Sequence, residues 1–253
     1  MHILPFNEGM ARAAYLKWKT STRRFVFPQP PDWASASYQI KQIPRGESRA
    51  LNTYLFQWCD DLNDGSRLVR RWPVDDASKR EYGLLNPFGR PGDKLRIKEP
   101  AWMWCERRPD GKTRKGRPKW LYEPLRSAPI HYCADHPGKP GLPVSHPDTG
   151  NQWLWRKKLA RYLPQWAERG LIEIIDIKAE KLQDISAVDC WNEGIRVLGD
   201  DGGHVYPAPG SSVCKVYVSL FRDLWISLYG EEAWLSNGWV WVLDFKMLPR
   251  STT

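Results

Sequence analysis

The sequence predicts an α+β chain of short strands with interposed helices. Three observations carry this. The 253 residues include 21 Pro and 19 Gly, too many turn formers for a helix bundle. Alternating polar and apolar residues mark short strand-like segments, whereas helical periodicity is confined to a few stretches. A hydrophobic content of 42% is enough for the core of one large domain or two small ones.

In order along the chain, residues 8–17 read as a short helix. Asn7 is its N-cap, Glu8 suits the first turn, and Met10, Ala14 and Trp18 recur at spacing four. Lys19-Thr-Ser-Thr-Arg-Arg24 leads into a strand at Phe25-Val-Phe27, ended by Pro28, Pro30 and Pro31. Residues 32–85 read as an insertion, within which Leu51 to Leu62 is a possible helix. Asn86-Pro-Phe-Gly89 and Pro91-Gly92-Asp93 are turns. Lys94-Leu-Arg-Ile-Lys98 alternates as a half-buried strand, and Ala101 to Cys105 extends the sheet. Asp110-Gly111 marks a hairpin tip, with Trp120-Leu-Tyr122 as the return strand. Residues 124–152, rich in Pro and Gly, read as a loop, so 106–152 forms a basic hairpin followed by a loop insertion. Leu171-Ile-Glu-Ile-Ile-Asp-Ile177 is the strongest strand. Ser186 to Gly194 reads as a helix with Ser186 as cap, Asp189 at the capping-box position and Gly194 as the stop. Residues 216–229 are helical, with Phe221, Leu224, Trp225 and Leu228 on one face. Trp239 to Met247 is a final strand with Trp239, Trp241 and Phe245 on one side.

Charge narrows the partners. The net charge is +9, and residues 106–119 hold seven basic residues against two acids. This favours a polyanion such as single-stranded nucleic acid. The 15 Trp serve cores and base stacking alike. No apolar run approaches the ~20 residues of a membrane span, and Met1 to Asn7 lacks a basic leader, so no membrane partner is expected. Five cysteines, an odd number, read as reduced thiols in a cytoplasm.

The common catalytic signatures are missing: there is no G-x-S-x-G, H-E-x-x-H or G-x-G-x-x-G. Gly111 to Arg117 has P-loop-like spacing without the Lys-Ser/Thr ending. His131, Cys133, His136 and Cys105 form only one loose cluster where zinc wants two short knuckles, so no metal and no cofactor are expected. Lys19-Thr20-Ser21-Thr22 admits two readings. It is a solvated basic turn at a helix C-terminus, or a pocket in which a partly desolvated Lys19 serves as base and Thr22 as nucleophile. Glu193 is poorly placed for stability, because an acid at a helix C-terminus opposes the dipole.

Four segments in order resemble the ASCH domain of the PUA-like superfamily, in particular ASCH-like proteins of tailed phages and prophages. Ile3 to Ala14 with Lys19-Thr-Ser-Thr-Arg-Arg24 is similar to the opening helix and the Gly-Arg-Lys-Thr-x-Thr-Arg-Arg motif. Asn86-Pro-Phe-Gly-Arg-Pro-Gly-Asp-Lys-Leu-Arg-Ile-Lys-Glu99 is similar to the Pro-Tyr-Gly-x-Pro-Gly-Asp-x-Leu-x-Val-x-Glu strand. Leu163-Pro-Gln-Trp-Ala-Glu-Arg169 with the segment up to Ile185, and Phe221-Arg-Asp-Leu-Trp225 with Trp239-Val-Trp-Val242, resemble the remaining segments. The chain departs from the pattern at Lys17-Trp18, where the family has Gly-Arg, and at Tyr162 and Gln165, where it has His and Arg.

The resemblance implies one domain over 1–253: a PUA-like, mixed but mostly antiparallel β-barrel with flanking helices, long insertions and a cleft for a nucleotide or nucleic acid. Some small ASCH proteins are amidohydrolases that deacetylate N(4)-acetylcytidine with a Lys, a Thr and a Glu. By motif register these map onto Lys19, Thr22 and Glu193. Three functions stay open: hydrolysis of an amide on a modified cytosine, binding of RNA or single-stranded DNA, and regulation of a host protein by a phage-encoded chain in the host cytoplasm. The partner is then a nucleoside or a single strand. For the strand, Arg23, Arg24, Arg107, Arg108, Lys112, Arg114, Lys115, Arg117 and Lys119 are the candidate phosphate contacts.

Overall fold

A computed structural model describes residues 3–30, 36–39, 53–61, 67–70, 82–136, 138–141, 144–145, 152–200 and 202–249. The architecture is mixed α+β, mostly sheet with few helices.

Strand β1 (Ile3–Pro5) leads into helix α1 (Glu8–Tyr15), which Asn7 caps by accepting the Met10 N–H at 2.8 Å. The helix ends at Tyr15 rather than at Lys17, because Lys17 takes a left-handed φ of 60°. Trp18 therefore leaves the face expected to unite it with Met10 and Ala14; Ala11 and Ala14 are the buried positions. Strand β2 (Ser21–Phe25) begins earlier than the Phe25–Phe27 segment expected from sequence.

Strands β3 (Ala36–Gln39), β4 (Thr53–Asp61), β5 (Arg67–Arg70) and β6 (Tyr82–Leu85) form a four-stranded antiparallel sheet in which β4 pairs with each of the others. The helix entertained over Leu51–Leu62 is thus a strand where it is described. The Thr, Tyr, Phe and Trp of 53–58 favour the extended state.

The chain continues through β7 (Lys94–Lys98), β8 (Ala101–Lys112), β9 (Pro118–Pro124), β10 (Ile130–Tyr132), β11 (Val144–Ser145), β12 (Gln152–Lys158) and β13 (Gly170–Lys181). Helices α2 (Ala187–Asn192), α3 (Val213–Tyr229) and α4 (Glu231–Leu235) precede β14 (Trp239–Met247). Residues between α3 and β14 hold the short helix α4, and the expected loop over 124–152 contains two short strands.

The central sheet has the order β1-β7-β13-β14-β2, antiparallel except at β1–β7. Its ladder is not closed into a barrel. One side chain links its two edge strands: Arg24 of β2 donates to the Pro5 carbonyl of β1 at 2.6 Å. Strand β14 is buried on both faces. Trp239, Trp241, Leu243 and Phe245 join α1, β7 and β13 in one apolar cluster. Val240 and Val242 point the other way, onto Cys190 of α2 and Tyr217, Phe221 and Trp225 of α3. Leu228 of α3, expected on the buried face, is 41% exposed.

A second sheet runs β10-β8-β12-β11, with β9 paired to β8. Its hairpin turns later than Asp110-Gly111. Strand β8 runs on to Lys112, with the register slipping between Pro109 and Lys112, and the turn is closed by the Thr113 N–H donating to the Arg117 carbonyl at 2.7 Å. Asp110-Gly111 is the bulge, with Gly111 supplying the φ of 74°. The two sheets are joined by Arg169, whose Nε donates to Glu99 Oε1 at 2.5 Å while its other nitrogens pair with Asp135. Tyr15 donates to the same Glu99 oxygen at 2.7 Å.

Burial of Cys190 between α2, α3 and β14 pushes its thiol up to about 12, with nearby Arg23 opposing. Of the four described cysteines, Cys214 is the one with a partly open thiol. A thiol reagent on native protein is expected to modify Cys214 at once and Cys190 only at the rate of unfolding, as read by peptide mass mapping. Rapid labelling of Cys190 would contradict the packing described.

Candidate functional site

The site forms where the segment after α1 crosses the end of α2. The Trp18 and Lys19 N–H groups both donate to the Ala13 carbonyl, at 2.8 and 3.1 Å, and fold the chain back over α1. The Thr20 N–H donates to the Asn192 carbonyl at 2.8 Å, and Lys19 and Glu193 form an isolated antiparallel bridge. Helix α2 is fixed by its capping box: the Ser186 hydroxyl accepts the Asp189 N–H at 3.1 Å, and the Asp189 carboxylate accepts the Ser186 N–H at 2.9 Å. Gly194 then turns the chain with a φ of 97°. A Cβ there would stand 2.9 Å from the Ala13 Cβ and 3.1 Å from the Lys19 Cβ, so the bare backbone lets α2 close on α1.

Lys19 and Glu193, 174 residues apart, thus meet in a buried ion pair. Lys19 is 1% exposed and Glu193 7%. The Lys19 ammonium donates to Glu193 Oε2 and to the Glu193 backbone carbonyl, the latter at 3.0 Å. Burial holds this ammonium below the usual lysine range. Glu193 pulls the other way, and Arg24 and Arg23 add to the lowering.

Thr22 lies opposite Leu243 in the β2–β14 ladder, on the face that carries the α1 cluster. Lys19 Nζ approaches the same cluster, 5.8 Å from the Phe6 ring centroid. The Thr22 side chain is fully buried and its hydroxyl has no hydrogen-bond partner among the described residues. A cavity of about 400 Å³ is lined by Glu193, Gly194 and Ile195, by Asn7 to Met10 and Ala13 around α1, and by Leu224; Lys19 and Thr22 are not among its lining residues. That volume lies within the range of small-ligand pockets. Glu193 is the member of the Lys19, Thr22, Glu193 set on the cavity wall.

Arg23 points to the opposite face from Thr22, as alternation requires. It is enclosed by carboxylates: Glu180 Oε1 at 2.5 Å, Asp189 Oδ2 at 3.4 Å and Glu193 Oε1 at 3.5 Å. Burial disfavours its charge, but Glu193, Glu180 and Asp189 outweigh that and hold the guanidinium above its usual range. Its location is the interior rather than a phosphate-contacting surface; it is hydrogen-bonded to Glu180 and within ion-pair reach of Glu193 Oε1. Arg24 is half-buried and tied to Pro5.

The cations of 107–119 divide into two groups. Arg107 lies 3.6 Å over the Trp120 ring. Arg108 pairs with Glu106 at 2.6 Å and Glu123 at 3.1 Å, and Lys119 pairs with Asp110 at 2.6 Å. Lys112, Arg114, Lys115 and Arg117 are all exposed at the tip, in no ion pair among the described residues. His131 and His136 stack at 4.8 Å, and among the described residues no group of three metal-ligating side chains converges. No described helix is long and apolar enough to cross a membrane.

Sequence reading missed Glu180 and Asp189 as partners of Arg23. It assigned Asp189 to the cap alone, and nothing local marks Glu180. Ser186→Ala is expected to cost about 1 kcal/mol by denaturant unfolding. It also removes the Ser186 hydroxyl bond that, with the retained backbone N–H of residue 186, Arg23 and Lys178, holds the Asp189 carboxyl below its usual range against burial. A carboxyl with a lowered folded pKa stabilises above its unfolded value of 3.8, and that contribution is lost as pH falls through the folded value. The variant should therefore lose stability at a higher pH than wild type. Identical acid transitions would contradict this.

Comparison of the chain with protein-family models, curated proteins and solved structures finds no match.

Proposed function

We propose that the chain is a nucleotide- or nucleic-acid-directed hydrolase of the PUA-like, ASCH type that cleaves an amide on a modified cytosine such as N(4)-acetylcytidine. The observation that carries the reading is a buried Lys–Glu ion pair whose Glu193 lines a cavity of about 400 Å³; three residues after Lys19, Thr22 carries a buried hydroxyl with no partner among the described residues. Burying a hydroxyl without a hydrogen bond costs about 1–3 kcal/mol, so a task for that hydroxyl accounts for its presence.

In this reading substrate displaces Lys19 from Glu193, the Lys19 ammonium gives up one proton to solvent water, which its lowered pKa favours, and the neutral amine then accepts the Thr22 hydroxyl proton. Thr22 Oγ1 attacks the acyl carbon and the carbon–nitrogen bond breaks. Lys19 returns the proton to the departing amino group of cytosine. Water then hydrolyses the Thr22 ester and releases acetate, with Glu193 holding the ammonium between steps.

Purified protein incubated with N(4)-acetylcytidine is expected to release acetate and cytidine in equal amounts. No turnover by folded protein across a panel of acylated cytosines would reassign the pocket to binding.

A further inference from the structure

The second sheet has one face turned to its own core and one turned outward. Odd positions of β8, namely Ala101, Met103 and Cys105, are buried with Leu163 and Ala167. The even positions Trp102 and Trp104 face the other way. The β8–β12 register sets Trp155 opposite Trp104 and Trp153 opposite Glu106, so all four indoles share that outer face. Trp104 and Trp155 meet edge to face at 5.0 Å. All four Trp are half-buried rather than covered. Trp104, Trp153 and Trp155, with Leu125, Ser127 and Pro129, line a pocket of about 470 Å³. It shares no residue with the cavity at Glu193.

Strand β8 runs from this pocket through its bulge at Asp110-Gly111 to the hairpin tip. From Trp104 to Lys112 is about 26 Å at the usual rise of an extended chain. The tip carries Lys112, Arg114, Lys115 and Arg117, exposed and unmatched by carboxylates among the described residues. On β12, Lys157 falls on the pocket side of the sheet, opposite Trp102. An aromatic pocket at one end of a strand and a cationic tip at the other match the two parts of a polynucleotide. Bases stack on indole faces, and phosphates track the cations. A proline-rich peptide would use the indoles but leave the tip charges without a counterpart.

We propose that the outer face of the β8–β12 sheet is a binding site for single-stranded RNA, with a base held in the Trp104–Trp153–Trp155 pocket and the following phosphates on the β8–β9 tip. This deepens the nucleic-acid reading by placing recognition of the strand apart from the Lys19 site.

The test is fluorescence anisotropy of a labelled oligouridylate with the full chain. Trp155→Ala should weaken binding about 5- to 150-fold, and Trp155→Phe much less, as expected for one stacked base. Replacing Lys112, Arg114, Lys115 and Arg117 with Gln should flatten the slope of log K against log salt by about 2–3 units. Quenching of intrinsic Trp fluorescence by unlabelled oligouridylate, reduced in Trp155→Phe at saturating RNA while Trp104 and Trp153 keep the remainder, reports the pocket independently of fold stability. Acetate release from free N(4)-acetylcytidine should be unchanged in all of these variants, so failure of the RNA site and failure of the hydrolase reading are separately visible. Wild-type affinity for the Trp155→Ala variant, an unchanged salt slope, tighter binding of oligodeoxythymidylate than of oligouridylate, or a proline-rich peptide that displaces the RNA would each overturn the proposal.

Discussion

Glu193→Ala is expected to destabilise the protein by about 3–5 kcal/mol, the loss typical when one partner of a buried ion pair is removed. The cost arises chiefly at Lys19, which is fully enclosed and bonded to the lost carboxylate. Arg23 keeps Glu180 and Asp189 and is penalised less. The loss should depend on pH in a defined sense. The folded-state pKa of Lys19 is lowered, so between that value and 10.5 the unfolded chain binds more protons and stability rises with pH. Removing Glu193 removes the group that opposes this lowering, which extends the window downward. The deficit should therefore shrink as pH rises to the folded value of Lys19 in wild type and stay constant from there to pH 10.5, as read by urea unfolding at a series of pH values. A Lys19→Met/Glu193→Leu double variant should recover much of the loss, because an apolar pair carries no desolvation penalty. A cost below about 1 kcal/mol, the value of an exposed pair, would contradict the burial described.

Lys19→Arg is expected to lower kcat for amide hydrolysis by about 10²–10⁴-fold, the usual contribution of a general base. Arginine keeps the positive charge facing Glu193 but does not deprotonate at any working pH. The variant thus separates the electrostatic part of the site from its proton chemistry. The pH–rate profile provides a second check. Wild-type kcat/KM should rise with pH to a plateau as the freed Lys19 becomes neutral. Any residual rate in Lys19→Arg should lack that limb. Full activity with arginine at position 19 would remove Lys19 from the role of base.

The parts of the molecule set by local chemistry were legible in the sequence. Ser186, Asp189 and Gly194 gave α2 its two ends because caps act within one turn. Strands β7, β13 and β14 were legible from apolar alternation or runs, and Trp239, Trp241 and Phe245 do share one buried face. What stayed hidden depends on pairing between distant segments. Arg23 looked like a surface cation because nothing near it in sequence shows that β13 brings Glu180 within 2.5 Å. The hairpin tip was misplaced because Asp-Gly favours a turn and a bulge alike, and the register opposite Lys112 decides between them. The outer Trp face was overlooked because β8 and β12 are far apart in sequence, and only their ladder puts Trp104 beside Trp155. For the Lys19 site, the contact with Glu193 is geometric, whereas its assignment to hydrolysis rests on the ASCH resemblance and on the unpartnered hydroxyl of Thr22.

That hydroxyl offers the most direct test. Valine matches threonine in shape, and the Thr22 hydroxyl has no hydrogen-bond partner among the described residues. With no chemical task for the hydroxyl, Thr22→Val would relieve a buried polar group and leave function intact. The measurement is acetate release from N(4)-acetylcytidine by wild type and Thr22→Val side by side, with Tm recorded for both. The account predicts a Tm equal to or above wild type together with loss of turnover; undiminished turnover by the valine variant would contradict it.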